Sequence, residues 1–242
     1  TQDYYHLQEA EDFELDVEDL CRTLLNGYDF LILCNPNNPT SSAILKDEMR
    51  ALLSFCANRD IFVMIDETYV EFAPSVQEVT AVPYTKEFSN LMVLRGVSKF
   101  YAAPGMRFGY GITGNKEFLS QMKEKQIPWS LNSLGAYAGE QMFKDTSYIR
   151  QTRALILTER DRMFLELKKI SSFKVYFPYG NFILVKILKP EVTSFDVFEA
   201  CIKEGLMIRD CSSFQCLDGE FIRFCIMKPE DNNRLLKVLK TI

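Results

Sequence analysis

The sequence predicts an α/β protein, with a mainly parallel sheet over residues 1–150 and a smaller α+β domain over 151–242. Three observations carry this reading. Apolar runs at 28–34 and 61–65 enclose an amphipathic stretch at 45–58, which makes a strand–helix–strand unit. These runs, and a third at 91–95, each end in a polar or glycine- and proline-containing segment. Beyond about residue 150 the pattern changes to short strands and helices in a different order. Two strands joined through a helix in one sheet run parallel, with a right-handed crossover.

Residues 15–25 have helical spacing, with Asp16 placed as an N-cap. The run 28–34 reads as a buried strand that stops at the turn NPNNPTSS. An amphipathic helix over 45–58 leads into a second buried strand, 61–65, which ends at Asp66-Glu67. A third strand, 91–95, runs into GVSKFYAAPGM and then a strand over 107–112. Residues 116–125 read as a helix, Ile127-Pro128-Trp129-Ser130 breaks it, and 132–143 resumes it. One long charged helix follows over 147–170. Strands are expected at 173–177, 181–186, 206–209 and 221–227, with helices at 194–204 and 229–239.

Composition narrows the function classes. Of the 242 residues 47% are hydrophobic and 25% charged, enough apolar material for a large core or two smaller ones. The net charge of -5, with no basic stripe, gives no sign of nucleic-acid binding. No apolar run approaches the roughly 20 residues that span a bilayer, and the N-terminal TQDYYHLQEAEDFELD is acidic without a hydrophobic signal region. The seven cysteines, Cys21, Cys34, Cys56, Cys201, Cys211, Cys216 and Cys225, are odd in number and form no paired CxxC motif. Reduced thiols in a cytoplasmic protein, and no metal site, are the expectation. His6 is the single histidine, which argues against a three-His zinc site or a triad built on a central His. An enzyme of this composition must move protons with Lys, Asp, Glu, Tyr or a cofactor.

Ligands of open parallel sheets bind beyond the carboxyl ends of the strands. Segments 35–42, 66–69 and 96–107 lie at such ends and bring an Asn, an Asp, a Tyr, a Lys and an Arg toward one rim. Taken singly these residues are ordinary. A lone lysine at a strand end is usually solvated, an Asp there usually caps the next turn, and Asn and Pro are common in turns. Lys99, however, follows Ser98 and precedes an aromatic, small-residue and Pro-Gly run, which suits a shielded amine able to attack an aldehyde.

Together, NPNNPTS, IDETYVEF and SKFYAAPGMRFGY, in this order and spacing, resemble the fold-type-I pyridoxal-phosphate (PLP) enzymes of aminotransferase class I/II. The resemblance implies roles at matching positions. Lys99 would anchor the cofactor covalently and later carry a proton. Asp66 would pair with the pyridine nitrogen, so that the ring can accept electrons. Asn38 and Tyr69 would bond the phenolic oxygen. Ser98 and Arg107 would contact the phosphate, and Arg223, in FIRF, would grip the substrate carboxylate. Two positions depart from the family pattern. Gly96 stands where relatives often carry Thr or Ser as a phosphate contact, and Ser41 stands where NPTG is usual, on a backbone that glycine normally serves. Roughly the first third of a full enzyme is expected to be absent, including a glycine-containing phosphate cup.

Within the family the chain is most similar to the histidinol-phosphate aminotransferases and the L-threonine-O-3-phosphate decarboxylases. The latter resemblance runs through SKFYAAPGMRFGY, KQIPWSLNSLGAYAGE and LMIRDCSSFQCLDGEFIRF. It marks Arg209 as a substrate contact. Trp129, Ser130 and Asn132 either line the substrate mouth or start a helix, with Ser130 or Asn132 as cap and Trp129 in the core. The implied activity is transamination of a phosphate- or phosphonate-bearing amino compound. Threonine-phosphate decarboxylation is the alternative, and a non-catalytic remnant of the fold is a third reading. The resemblance also implies a homodimeric full-length parent.

Overall fold

The computed structural model describes residues 1–215 and 217–242, so the expectation for Cys216 lies outside the described residues. The chain divides into two compact units: Leu15–Pro36 with Ala43–Arg150, and Thr1–Glu14 with Asn37–Ser42 and Gln151–Ile242.

The first unit contains α1 (Val17–Leu24), β1 (Phe30–Cys34), α2 (Lys46–Ala57), β2 (Phe62–Asp66), α3 (Val76–Val79), β3 (Leu91–Gly96), β4 (Gly109–Thr113), α4 (Lys116–Lys125) and α5 (Ser133–Lys144). Its four-stranded sheet has the order β1-β2-β3-β4. Strands β1, β2 and β3 are parallel, with Cys34 opposite Asp66 and Asp66 opposite Leu94. The expected parallel sheet therefore holds for three strands. β4 joins β3 antiparallel, with Arg95 opposite Tyr110, because the chain between them turns back without the α-helical crossover a parallel strand needs. Helix α2 shows why this region folds as it does. Met49, Leu52, Leu53 and Cys56 recur at helical spacing and are all 0% exposed, and the helix packs on β2, whose Val63 and Ile65 are also 0% exposed. Asp16 caps α1 by accepting from Asp19 N–H at 2.9 Å, as the sequence implied.

β1 corrects one expectation. The sequence predicts a buried strand, yet Phe30 and Ile32 are exposed and only Leu31 is buried. It is an edge strand with a partner on one side only. Phe30 stacks on Phe62 of the neighbouring strand, 5.5 Å between ring centroids.

The second unit contains α6 (Thr146–Leu167, whose first five residues fall in the first unit), β5 (Phe173–Val175), β6 (Phe182–Ile187), α7 (Ser194–Lys203), β7 (Arg209–Asp210), β8 (Phe221–Cys225) and α8 (Pro229–Leu239). Its sheet, in the order β5-β6-β8-β7, is antiparallel throughout. The strand expected at 206–209 is reduced to two residues, since Arg209 and Asp210 alone pair with β8. The acidic N-terminal stretch belongs to this unit. Phe13 is 2% exposed within a cluster of Tyr176, Leu184, Cys211, Leu217 and Phe221, and Glu9 accepts from Lys186 Nζ at 2.7 Å and Tyr176 OH at 2.8 Å.

Cys21, Cys34, Cys56, Cys201, Cys211 and Cys225 are free thiols. Among the described residues no helix is long and apolar enough to cross a membrane, and no cluster of His, Cys, Asp and Glu could hold a metal ion.

Candidate active site

The residues singled out from the sequence fall into two groups, one in each unit. In the parallel-sheet unit, Asp66 is the last residue of β2. It is half-buried, and its Oδ1 accepts from the N–H of Thr68 at 2.8 Å and from the Thr68 hydroxyl. The turn-capping role that is the default for such an Asp is thus present. Tyr69 stands three residues on, ahead of a 3-10 turn over Val70–Phe72. On the neighbouring strand, β3 leads through Gly96 into Ser98 and Lys99, and the Lys99 ammonium lies 5.8 Å from the centre of the Tyr69 ring. The carboxyl ends of two adjacent parallel strands therefore bring a carboxylate, a phenol, a hydroxyl and an amine to one rim.

Lys99 is exposed, where the sequence suggested a shielded amine. Beyond the end of β3, Val97 and Phe100 take the core positions, each 1% exposed, and leave Lys99 between them facing outward. Arg107, also exposed, occupies the left-handed region at φ 49° and donates to the carbonyl of Pro104 at 3.0 Å. A Cβ at Gly96 would lie 3.5 Å from the Phe108 carbonyl, an ordinary contact. Space does not demand glycine there.

Asn132 is the N-cap of α5. Its Oδ1 accepts from Gly135 N–H at 2.6 Å, and its Nδ2 donates to the carbonyl of Met106 at 3.0 Å, next to Arg107. The cap reading of Asn132 is correct, whereas Trp129 is 97% exposed and not a core residue. Helix α5 packs closely on the same loop, since a Cβ at Gly139 would lie 2.6 Å from the Phe108 ring.

In the antiparallel unit the turn NPNNPTS and the arginines meet. The Arg223 guanidinium donates to the Asn38 side-chain carbonyl. It also lies over the rings of Phe182 and Phe214, 5.0 and 6.0 Å from their centres. Arg209 faces Arg223 across the β7–β8 pairing, sits 5.5 Å from the Phe214 ring centre, and donates to Ser213 Oγ at 2.7 Å. Both arginines line a cleft of about 730 Å³ with Phe195, Phe198, Met207 and Ser213. Phe214, placed between two guanidinium groups, was not anticipated from the sequence. Cation–π contact of this kind orients Arg without neutralising it.

The turn itself depends on Ser41. It is 0% exposed with φ 64°. Its hydroxyl accepts from Gly180 N–H at 2.8 Å and its carbonyl from Tyr179 N–H at 2.8 Å. The buried Arg160 holds the segment that meets this turn, donating to the Tyr179 carbonyl at 3.2 Å. A serine thus occupies the left-handed position, as the departure from NPTG required.

Sequence reasoning also passed over Glu67, Thr80 and Arg95, a hydrogen-bonded cluster in which Glu67, next to Asp66 in the chain, is fully buried and the other two are half-buried. The available signal was a pair of opposite charges at the ends of two adjacent apolar runs.

Comparison with known proteins follows the same lines. A histidinol-phosphate aminotransferase from Methanococcus aeolicus is 30% identical over 239 residues, covering 99% of this chain and 62% of its own length. A protein of Caldanaerobacter subterraneus subsp. tengcongensis, provisionally named a threonine-phosphate decarboxylase, is 35% identical over 237 residues, covering 98% of this chain. The chain spans about 64% of that relative's length. The solved histidinol-phosphate aminotransferase from Clostridium acetobutylicum superposes with a TM-score of 0.89 at 34% identity, over 97% of this chain and 69% of that one. The family model for aminotransferase class I and II matches residues 1–239, and with its strand-end motifs in the geometry just described, the chain belongs to that family.

Proposed function

We propose that the whole protein is a PLP-dependent aminotransferase acting on an amino acid or amine that bears a phosphate or phosphonate group. The observation that carries this reading is the convergence of Asp66, Tyr69, Ser98 and Lys99 at the ends of two adjacent parallel strands. The donor set fits the cofactor: an amine for its aldehyde, a carboxylate for its ring nitrogen, a phenol for its phenolic oxygen, and a hydroxyl with a guanidinium for its phosphate. When bound, PLP supplies an electron sink for a bond broken at the substrate α-carbon.

The chain's own residues then have distinct tasks. Lys99 Nζ would hold the cofactor through its aldehyde and is the amine placed to carry a proton. By resemblance, Asp66 would pair with the ring nitrogen, and Tyr69 and Asn38 would bond the phenolic oxygen. Ser98 and Arg107 bind the cofactor phosphate. Arg223 binds the substrate carboxylate as a forked partner, and Arg209 makes a further substrate contact. Asn132 contributes at the substrate mouth. The names of the relatives support a phosphate-bearing substrate, and by resemblance the full-length protein is a homodimer in the cytoplasm.

Threonine-phosphate decarboxylation is the second reading, favoured by the 35% identity to a protein provisionally given that name. The same residues serve both reactions, because the bond that breaks is the one oriented perpendicular to the cofactor ring. The test is to load the longest available chain with PLP and supply O-phosphothreonine, histidinol phosphate and a small phosphonate amine in turn. Amination of the cofactor without CO₂ release is the expected outcome. CO₂ from O-phosphothreonine without stoichiometric amination would make the protein a decarboxylase. Borohydride should fix PLP on Lys99, and Lys99→Ala should abolish that adduct; an adduct elsewhere in the site would remove Lys99 from its role.

A further inference from the structure

Next to the strand ends that carry Asp66, Tyr69 and Lys99, the parallel-sheet unit holds a charged pair, one partner fully buried and the other half-buried, to which the reaction assigns no task. Glu67 follows Asp66 directly and is 0% exposed. One carboxylate oxygen accepts from Arg95 Nη2 at 2.7 Å, Arg95 Nε at 3.0 Å and Thr80 Oγ1 at 2.8 Å. The other accepts from Ala81 N–H at 2.5 Å. Arg95, four residues before Lys99, also donates to Thr80 Oγ1 at 2.7 Å and lies 3.6 Å from Glu71, which follows Tyr69 by two residues. Across the sheet it stands opposite Tyr110 of β4, the strand reached through Arg107. One ion pair thus touches segment 66–71, the end of β3 and the start of β4.

Net stability is a weak reason for such a pair. Stripping water from both ions offsets most of their attraction, and an apolar pair of the same shape often serves as well. Burial alone pushes the Glu67 carboxyl up, against the pull of Arg95 and the Ala81 N–H. What the guanidinium fork supplies is fixed direction and spacing. At the point where β2 ends, the backbone tie to β3 is the Glu67 N–H to Leu94 carbonyl bond of 2.9 Å. Beyond it, the Arg95 side chain takes over the task of joining the two strands.

We propose that Glu67 and Arg95 are positioning residues, which hold the 66–69 turn and the 98–99 segment in the mutual arrangement that PLP requires. This rests on the function proposed above for that site. Neither residue touches cofactor or substrate; each acts through the backbone of the residues that do.

The test separates positioning from mere support of the fold. Glu67→Met and Arg95→Met each leave one charged group without its partner, so both should lose thermal stability and PLP capture together. The double variant removes both charges, and its melting temperature should recover toward that of the wild type. PLP capture should not recover. Absorbance titration, and borohydride fixation mapped to Lys99, should stay about tenfold or more weaker, the scale seen when groups supporting a bound ligand are lost. Recovery of capture in step with melting temperature would overturn the proposal. Arg95→Lys, which keeps the charge but not the fork, should hold its fold and still capture PLP weakly; wild-type capture in this variant would count equally against it. Hydrogen exchange on cofactor-free protein gives an independent reading. Exchange at 66–71 and 96–99 should remain fast in the double variant, and restored protection there would refute the role. Failure of the wild type to fix PLP on Lys99 would sink the functional reading alone, with exchange still deciding the role of the pair.

Discussion

Replacing Ser41 by glycine, the residue usual in this turn, should destabilise the protein. Two effects oppose each other. Ser41 sits at φ 64°, where a side chain costs about 1 kcal/mol that glycine would recover. Glycine also gives the unfolded chain more freedom, which takes back roughly 0.5–1 kcal/mol. These nearly cancel. What remains is the 2.8 Å bond from the buried Gly180 N–H to the Ser41 hydroxyl. Its loss leaves a buried donor unsatisfied, at about 1–3 kcal/mol. Ser41→Gly should therefore lower stability by about 1–3 kcal/mol, or about 2–12 °C in melting temperature for a chain of this size. Ser41→Ala, which loses the hydroxyl but keeps the backbone cost, should be as unstable or slightly more so. Urea unfolding of the three proteins side by side decides the point. A Ser41→Gly protein as stable as wild type, or more so, would refute the reasoning, because backbone strain would then outweigh the hydroxyl bond.

Other expectations follow from the same geometry. Asn132→Ala removes a helix cap and the bond to the Met106 carbonyl, and should cost about 1 kcal/mol while loosening the Arg107 loop. Hydrogen exchange at 104–108 reads this directly, and unchanged exchange there would show that α5 does not brace the loop. Gly139→Ala sets a Cβ against the Phe108 ring at 2.6 Å and should cost about 1–3 kcal/mol by overpacking, measured as a shift in the urea midpoint. Gly96→Ser should be accommodated, since a Cβ there meets only ordinary contacts. If the hydroxyl reaches the cofactor phosphate, PLP should bind more tightly while pyridoxal, which lacks the phosphate, is unaffected; equal effects on both would deny the phosphate contact. Glu9 supplies the pH prediction. Burial pushes its carboxyl up, but hydrogen bonds from Lys186 and Tyr176 hold it below the ordinary value of 4.5. A lowered folded-state value means that the contact stabilises fully above pH 4.5 and is lost as pH falls through the lowered value. Glu9→Gln should flatten this acid limb of the stability curve, and parallel limbs in the two proteins would rule the contact out as its source.

Much of the fold was legible because its signals are local. The spacing of Met49, Leu52, Leu53 and Cys56 marks one face of a helix whatever packs against it, and 116–125 and 229–239 were read with the observed ends because polar caps and proline bound them. The strand-end motifs placed Asp66, Tyr69, Ser98 and Lys99 at one rim, since a parallel sheet sends its strand ends to the same side. Other features depend on partners distant in sequence. Whether β1 is covered, and that β4 runs antiparallel, are properties of neighbours rather than of the runs themselves. The exposure of Lys99 follows from which of its neighbours the core accepts.

The sequence by itself determined the class of fold, the family, and the residue types available for chemistry, because these are written in periodicity and in motifs of fixed spacing. The tertiary structure alone decided how those residues are held. Arg223 meets Asn38 across 185 positions of chain, Gly180 reaches Ser41 across 139, and Arg95 locks onto Glu67 across 28. Such contacts arise from the shared requirement that buried polar groups find partners, and no short-range pattern in the sequence specifies which partners those will be.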